Sequence, residues 1–303
     1  MTHVLSLIAA QTKAPLTAAD VDRARRALDA AKARNDTPVW LSPDEACDIP
    51  FEGVPSDAMA AARAELRDRP VDVNIVPQDY RRKRLLLADM DSTLIEQECI
   101  DELAAEAGLG SEVAAITERA MRGEIAFEPA LRERVGLLKG ISAEVAAKLL
   151  AERITITPGA KVLVATMRAF GAYTALISGG FTIFAEPVGR QVGFDEHRAN
   201  TLIADGGAFT GAVAEPILGR AAKEDALLDL TAKLKLDPRE TLAIGDGAND
   251  LGMIRLAGLG VAYRAKPAVR AEADAALDHA DLTGGLFLQG YRREEFVLSP
   301  AAG

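Results

Sequence analysis

Short apolar runs alternating with helical patterns predict an α/β fold. The expected architecture is a doubly wound, Rossmann-like parallel sheet with an inserted all-helical cap and a small N-terminal α/β domain. Three observations carry this. The runs LLLA (Leu85–Ala88), TALIS from Thr174 and TLAI from Thr241 each end abruptly in a polar cluster, as buried parallel strands do at their carboxyl ends. Residues 96–154 contain no strand-like run, only helical patterns punctuated by Gly108, Gly110, Gly123 and Gly140. Residues 1–79 form a separate set of strand and helix signals ahead of the basic run Arg81–Arg84.

In the N-terminal unit, VLSLIAA from Val4 reads as a strand, and Thr17 with Asp20 makes a capping-box start for a helix carrying Val21, Ala24 and Leu28 on one face. A second helix starts at Ser56, with Met59, Ala62 and Leu66 aligned, and VDVNIVP from Val71 alternates as a strand. The stretch 38–53, rich in Pro and acid, reads as a strand fragment and irregular loop. RRKR reads as a solvated lead-in to the next strand and marks the domain boundary, giving units 1–79 and 80–303. Thr157 and Pro158 read as the N-cap and first residue of a helix bearing Leu163, Met167 and Phe170. Residues 181–219, broken by Gly, Pro and Asp, read as hairpin and loop.

Composition narrows the function. The chain has 303 residues, enough for a sizeable core, and a net charge of −10, which repels nucleic acids and anionic membranes. An anionic substrate must therefore be attracted locally. There is no apolar run of 18 residues or more and no signal-peptide pattern at the N-terminus, so the expectation is a cytoplasmic protein. Cys47 and Cys99 stand alone, without disulfide or zinc spacing, and His3, His197 and His279 have no second ligand at metal spacing.

The chemistry centres on Asp89 and Asp91, two carboxylates one residue apart at the end of a strand. Alone, such a pair is more readily an Asp-rich turn with both carboxylates in water. Facing one small volume, the two repel unless a hard cation such as Mg2+ compensates. Downstream, Ser178-Gly179-Gly180, Lys223 and Gly245-Asp246-Gly247-Ala248-Asn249-Asp250 fall at later strand ends or helix starts. Ser178 and the Gly179 N–H supply donors for a phosphate, Lys223 a point charge, and Asp246 and Asp250 further oxygen ligands.

Taken in order, these four segments resemble the haloacid dehalogenase superfamily over residues 84–285 or so. The insert, with Glu98, Arg122-Gly123, Phe127 and LRERVGLLKG, resembles the phosphoserine phosphatases within it. The N-terminal unit resembles the ACT-like extensions of some members. The resemblance implies Mg2+-dependent hydrolysis of phosphoserine, the last step of serine biosynthesis. It makes Asp89 the nucleophile that becomes phosphorylated, Asp91 the general acid and then base, and Lys223 the charge that neutralises both Asp89 and phosphate. Asp89, Asp246, Asp250 and the main-chain carbonyl of Asp91 then hold Mg2+, and Asn249 contacts phosphate or Lys223. In the cap, Glu98 would bind an ammonium and Arg134 a carboxylate, with Phe127 two turns earlier closing over the substrate. Thr93 is expected to steady the loop by bonding its hydroxyl to backbone. Two other readings stay open: a phosphatase or phosphotransferase for another small phosphomonoester, and an amino-acid-sensing regulatory protein with an inactive core. Each of these readings, the phosphoserine phosphatase one included, admits a homodimer.

Overall fold

The computed structural model describes residues 2–10, 14–122 and 124–298. The chain first builds strand β1 (His3–Ala9), helix α1 (Ala18–Ala30), β2 (Arg34–Asn35), β3 (Val39–Ser42), β4 (Ala46–Glu52), α2 (Pro55–Glu65) and β5 (Val71–Pro77). These form an antiparallel sheet in the order β2-β4-β1-β5, with β3 alongside β4. Helix α1 starts as expected: Thr17 Oγ1 accepts from the Asp20 N–H at 3.2 Å, and Asp20 Oδ2 accepts from the Thr17 N–H at 2.9 Å. The stretch 38–53 differs from expectation, since β3 and β4 are true strands. Proline and acid are tolerated there because β4 is held by β1 along its length, and pairing outweighs local propensity.

The core follows with β6 (Leu85–Ala88) and four cap helices, α3 (Cys99–Glu106), α4 (Gly110–Met121), α5 (Phe127–Leu137) and α6 (Glu144–Glu152). It resumes with α7 (Ala160–Ala169), β7 (Tyr173–Phe181), α8 (Thr182–Val192), β8 (Glu196–Asn200) and the hairpin β9 (Leu202–Asp205) with β10 (Ala208–Val213). It ends with α9 (Arg220–Lys233), β11 (Thr241–Gly245), α10 (Leu251–Leu256), β12 (Leu259–Tyr263), α11 (Pro267–Arg270), β13 (Ala275–Leu277) and α12 (Gly284–Leu288). Six strands make one sheet, β13-β12-β11-β6-β7-β8, parallel throughout.

Strand β6 is buried on both faces, which explains its unbroken apolar run. Leu85 and Leu87 pack with Leu227 and Leu230 of α9, whereas Leu86 and Ala88 belong to the large core that includes Leu163 and Met167 of α7. Period-two alternation thus divides one strand between two helical layers. The cap joins the core by two chain crossings that run side by side. The Glu96 N–H donates to Thr155 O at 3.1 Å and the Thr157 N–H to Leu94 O at 2.9 Å. Among the described residues, no helix is long and apolar enough to cross a membrane.

Two more expectations are corrected. Residues 182–192 form a helix despite Pro187, because Phe184, Ala185, Val188 and Val192 bury one face, and Gly193 closes it at φ 99°. Helix α7 starts at Ala160 rather than beside Thr157. Gly159, at φ 84°, is its N-cap, and a Cβ there would lie 2.6 Å from the Thr283 nitrogen.

The RRKR run is solvated only at Arg82 and Arg84. Arg81 forms a bidentate pair with Asp48 at 2.6 and 3.0 Å and also donates to Leu288 O at 2.9 Å. Lys83 is buried, and its ammonium donates to Arg239 O at 2.6 Å and Gly258 O at 3.1 Å. Burial pushes Lys83 down to about 8 from its usual 10.5. Between those values the unfolded chain holds a proton that the folded one has shed, so stability rises with pH there. In urea unfolding, the wild type should therefore gain on Lys83→Met as pH rises from about 8 to about 10. A constant difference across that window would show that Lys83 stays charged in the fold.

Candidate active site

The site forms where β6, β7 and β11 end side by side. The Asp89 N–H donates to Ile244 O at 3.0 Å, carrying the pairing one residue past β6. Residues 90–94 then reverse in a tight loop closed by the Ile95 N–H on Met90 O at 3.0 Å, with Ser92 held at φ 54°. A serine in the left-handed region is strained, and such strain persists only where its surroundings enforce it.

Helix α9 brings Lys223 into the middle of this end. Its side chain is fully buried, with Nζ 2.6 Å from Asp89 Oδ1 and 2.5 Å from Asp250 Oδ1. Burial opposes its charge, but Asp250 and Asp89 outweigh that and hold the ammonium above its ordinary range. Burial and Asp250 push Asp89 up, against the pull of Lys223. Burial, then Asp250 and Glu98, raise Asp246 to about 6. One ammonium therefore faces an excess of carboxylate.

One oxygen from each of Asp89, Asp246 and Asp250 lies within 4.8 Å of the others. All the donors are oxygen and their negative charge is only partly met, which fits a hard divalent cation. Thr93 supports this cluster differently from expectation. Its hydroxyl donates to Asp246 Oδ1 at 3.1 Å rather than to backbone, fixing that acidic side chain from the loop that follows Asp89. Asp250 also accepts the Gly247 N–H at 3.0 Å, so the glycine-rich turn and the acidic cluster are one structure.

The Asp91 carboxylate is not part of this trio. Its Oδ1 accepts the Cys99 N–H at the start of α3 at 3.0 Å, and a Cβ on Gly180 would lie 2.7 Å from its Oδ2. Enclosure and the nearby Glu98 push it up to about 7. Ser178 Oγ accepts the Gly180 N–H at 2.9 Å, leaving its own O–H to donate outward. Asn249 makes no hydrogen bond to Lys223 among the described residues; its Oδ1 lies against Gly247.

The cap supplies the opposite wall. Phe127 lies over Gly179 and Gly219, where a Cβ would meet its ring at 3.4 and 3.3 Å. Glu98 accepts from the Ser92 hydroxyl at 2.6 Å. Burial pushes Arg134 down, while Asp101, Glu98 and Asp91 pull it up, so its charge lies towards the acidic site. Arg134 donates to Ala130 O at 3.3 Å but has no carboxylate at ion-pair distance among the described residues, leaving its guanidinium fork without an anion.

Two contributors were not foreseen. Asn200, buried at the end of β8, donates to Gly179 O at 2.9 Å and Leu218 O at 3.0 Å and accepts the Leu218 N–H at 2.7 Å. It ties the loop ending β7 to the segment leading into α9. A polar residue ending a strand was its only signal. The Cys99 N–H had none, because no local pattern shows the chain turning back to set a helix start against an acid eight residues earlier.

Residues 86–255, more than half of the chain, match the haloacid dehalogenase-like hydrolase family. The phosphoserine phosphatase SerB2 of Mycobacterium tuberculosis is 42% identical over 233 residues, 76% of this chain and 57% of that protein. The chain thus spans little more than half the length of that relative. The solved structure of a probable phosphoserine phosphatase from Vibrio cholerae, unliganded, superposes with a TM-score of 0.78 at 32% identity, covering 97% of this chain and 88% of that one. A phospho-aspartyl intermediate analogue of a phosphoserine phosphatase superposes with a TM-score of 0.63 at 40% identity, over 68% of this chain and 98% of the other.

Removing the Asn200 amide leaves buried main-chain groups unpaired at about 1–3 kcal/mol. Asn200→Ala should lower stability by that order in urea unfolding and reduce turnover. A variant as stable and as active as wild type would show the clamp to be dispensable.

Proposed function

We propose, for a chain that belongs to the haloacid dehalogenase-like hydrolase family and to its phosphoserine phosphatase branch, the Mg2+-dependent hydrolysis of O-phospho-L-serine through a phosphorylated Asp89. The observation that carries this reading is the buried Asp89, bridged by Lys223 to Asp250 beneath a cap that offers an anion-free guanidinium and a carboxylate. The substrate's carboxylate suits Arg134 through two parallel hydrogen bonds, its ammonium suits Glu98, and Phe127 covers it.

Hydrolysis of a phosphate monoester is among the slowest uncatalysed reactions, so nucleophile, charge neutralisation and leaving-group protonation are needed together. An Asp89 oxygen attacks phosphorus as the bond to the serine oxygen breaks, and Asp91 gives that oxygen its proton. Water then attacks the aspartyl-phosphate and Asp91 takes the proton back, releasing phosphate and restoring Asp89. A group near pH 7 suits both halves, being neither too weak an acid nor too weak a base. Lys223, Ser178 and the Gly179 N–H are the fixed donors for the phosphate oxygens, with Asn249 beside them. Mg2+ held by Asp89, Asp246, Asp250 and the Asp91 carbonyl would add charge neutralisation at the phosphate. The reading places the reaction in the cytoplasm, as the last step of serine biosynthesis.

Phosphate release from O-phospho-L-serine, with and without Mg2+ and beside phosphorylated sugars, nucleotides and phosphothreonine, tests this directly. A strong Mg2+-dependent preference for phosphoserine is expected, and Asp89→Asn should abolish turnover while retaining substrate binding. Normal steady-state activity in that variant sinks the mechanism. Arg134→Ala should lower kcat/KM for phosphoserine by roughly ten- to a hundredfold, as the loss of a charged hydrogen-bond pair does, and far less for a phosphate ester without a carboxylate. Equal losses on both would remove the cap assignment and leave the Asp89 chemistry standing.

A further inference from the structure

A basic site lies away from the catalytic cluster, in the cleft between the N-terminal sheet and the core. A cavity of about 180 Å³ is lined by Arg63, Arg67, Arg69 and Arg270 together with His279 and Asp72. Arg63 and Arg67 come from α2 and the turn beyond it, Arg270 ends α11, and His279 follows β13, so both domains contribute.

The acids nearby are already engaged. Asp72 accepts the backbone N–H groups of Asp278, His279 and Ala280 at 2.8, 3.1 and 2.9 Å. Asp20 pairs with Arg69 at 3.0 Å, and Asp278 pairs with Arg270 at 2.7 Å. That leaves two guanidiniums without a carboxylate. Arg63 donates only to Val73 O, at 3.4 Å, and Arg67 has no hydrogen bond or ion pair among the described residues. Partial burial and the like charge of Arg270 disfavour the Arg63 cation and outweigh the pull of Asp278, a penalty that an incoming anion would relieve. In a chain of net charge −10, four arginines gathered round one small cavity, two of them without a carboxylate, are unusual.

We propose that this cleft binds a small phosphate-class oxyanion, held by Arg63 and Arg67 from one domain and Arg270 from the other. Guanidinium forks match the oxygens of such a group in pairs, and several donors from separate elements fix it in place. The volume sets the size. It is below the ~300 Å³ at which pockets for drug-sized ligands begin, and at roughly 30 Å³ per water it admits one hydrated oxyanion. Because the ligands come from both domains, a bound anion would also fasten the N-terminal unit to the core. None of these residues belongs to the catalytic cluster, so the site stands or falls separately from the proposed hydrolysis.

The chain's three histidines give the readout, since His279 lines the cavity and none of them lies in the catalytic cluster. Inorganic phosphate is titrated into the full chain at constant ionic strength while the imidazole resonances are followed by NMR, with His279 assigned from His279→Gln. A saturable shift of His279 is expected, with His3 and His197 unmoved and the apparent affinity at least tenfold weaker in Arg63→Gln/Arg270→Gln. Arg67→Gln, which breaks no hydrogen bond or ion pair among the described residues, should weaken binding as well and guards against misfolding of the double variant. The proposal is overturned by no saturable shift, by an equal shift with chloride, by undiminished affinity in both variants, or by succinate binding more tightly than phosphate.

Discussion

The structure depends on one buried ammonium. Lys223 sits between Asp89 and Asp250 with no access to solvent, and the strand ends around it carry two more acids. Burying that much negative charge with a single cation is unfavourable unless hydrogen bonds and a metal ion complete the balance. The surroundings supply the first part: Thr93 on Asp246, the Gly247 N–H on Asp250 and the Cys99 N–H on Asp91. Burial first, and then the neighbouring carboxylates, raise Asp89, Asp91 and Asp246, and a divalent cation would relieve that crowding.

The fold makes that concentration feasible by spreading it over separate elements. Asp89 comes from β6, Asp246 and Asp250 from the end of β11, and Lys223 from a helix packed on the opposite face from α7. Glycine is required where these elements meet. A Cβ on Gly245 would sit 2.5 Å from the Asp250 carboxyl carbon, and one on Gly180 would meet Asp91. The cap then closes the site from above, anchored by paired crossings at residues 94–97 and 155–157.

The N-terminal domain is fastened to the core by polar groups that behave like strand neighbours. The Asn74 side chain donates to Ala276 O at 2.9 Å and accepts the Ala276 N–H at 2.8 Å, satisfying part of the edge of β13. Asp72 caps the turn after that strand, and Arg81 spans from Asp48 to the carbonyls ending α12. Val4, Ile8 and Val76 from one face of its sheet join the core's own apolar cluster, so the contact is hydrophobic at its centre and polar at its edge.

The sequence by itself determined the parallel sheet, the helical insert and the residues of the acidic cluster. Those features depend on local periodicity and on motifs only a few residues long, where apolar runs ending in Asp, Ser-Gly-Gly or Gly-Asp leave few alternatives. Tertiary structure decided whatever depends on partners far along the chain. It made strands of residues 39–52 by pairing them with β1, and a helix of residues 182–192 by burying Phe184 and Val188 in spite of Pro187. It took Lys83 out of solvent, turned Thr93 towards Asp246 and set Asn200 between two loops. In each case the deciding contact joins residues far apart in sequence, and long-range packing overrode the local preference.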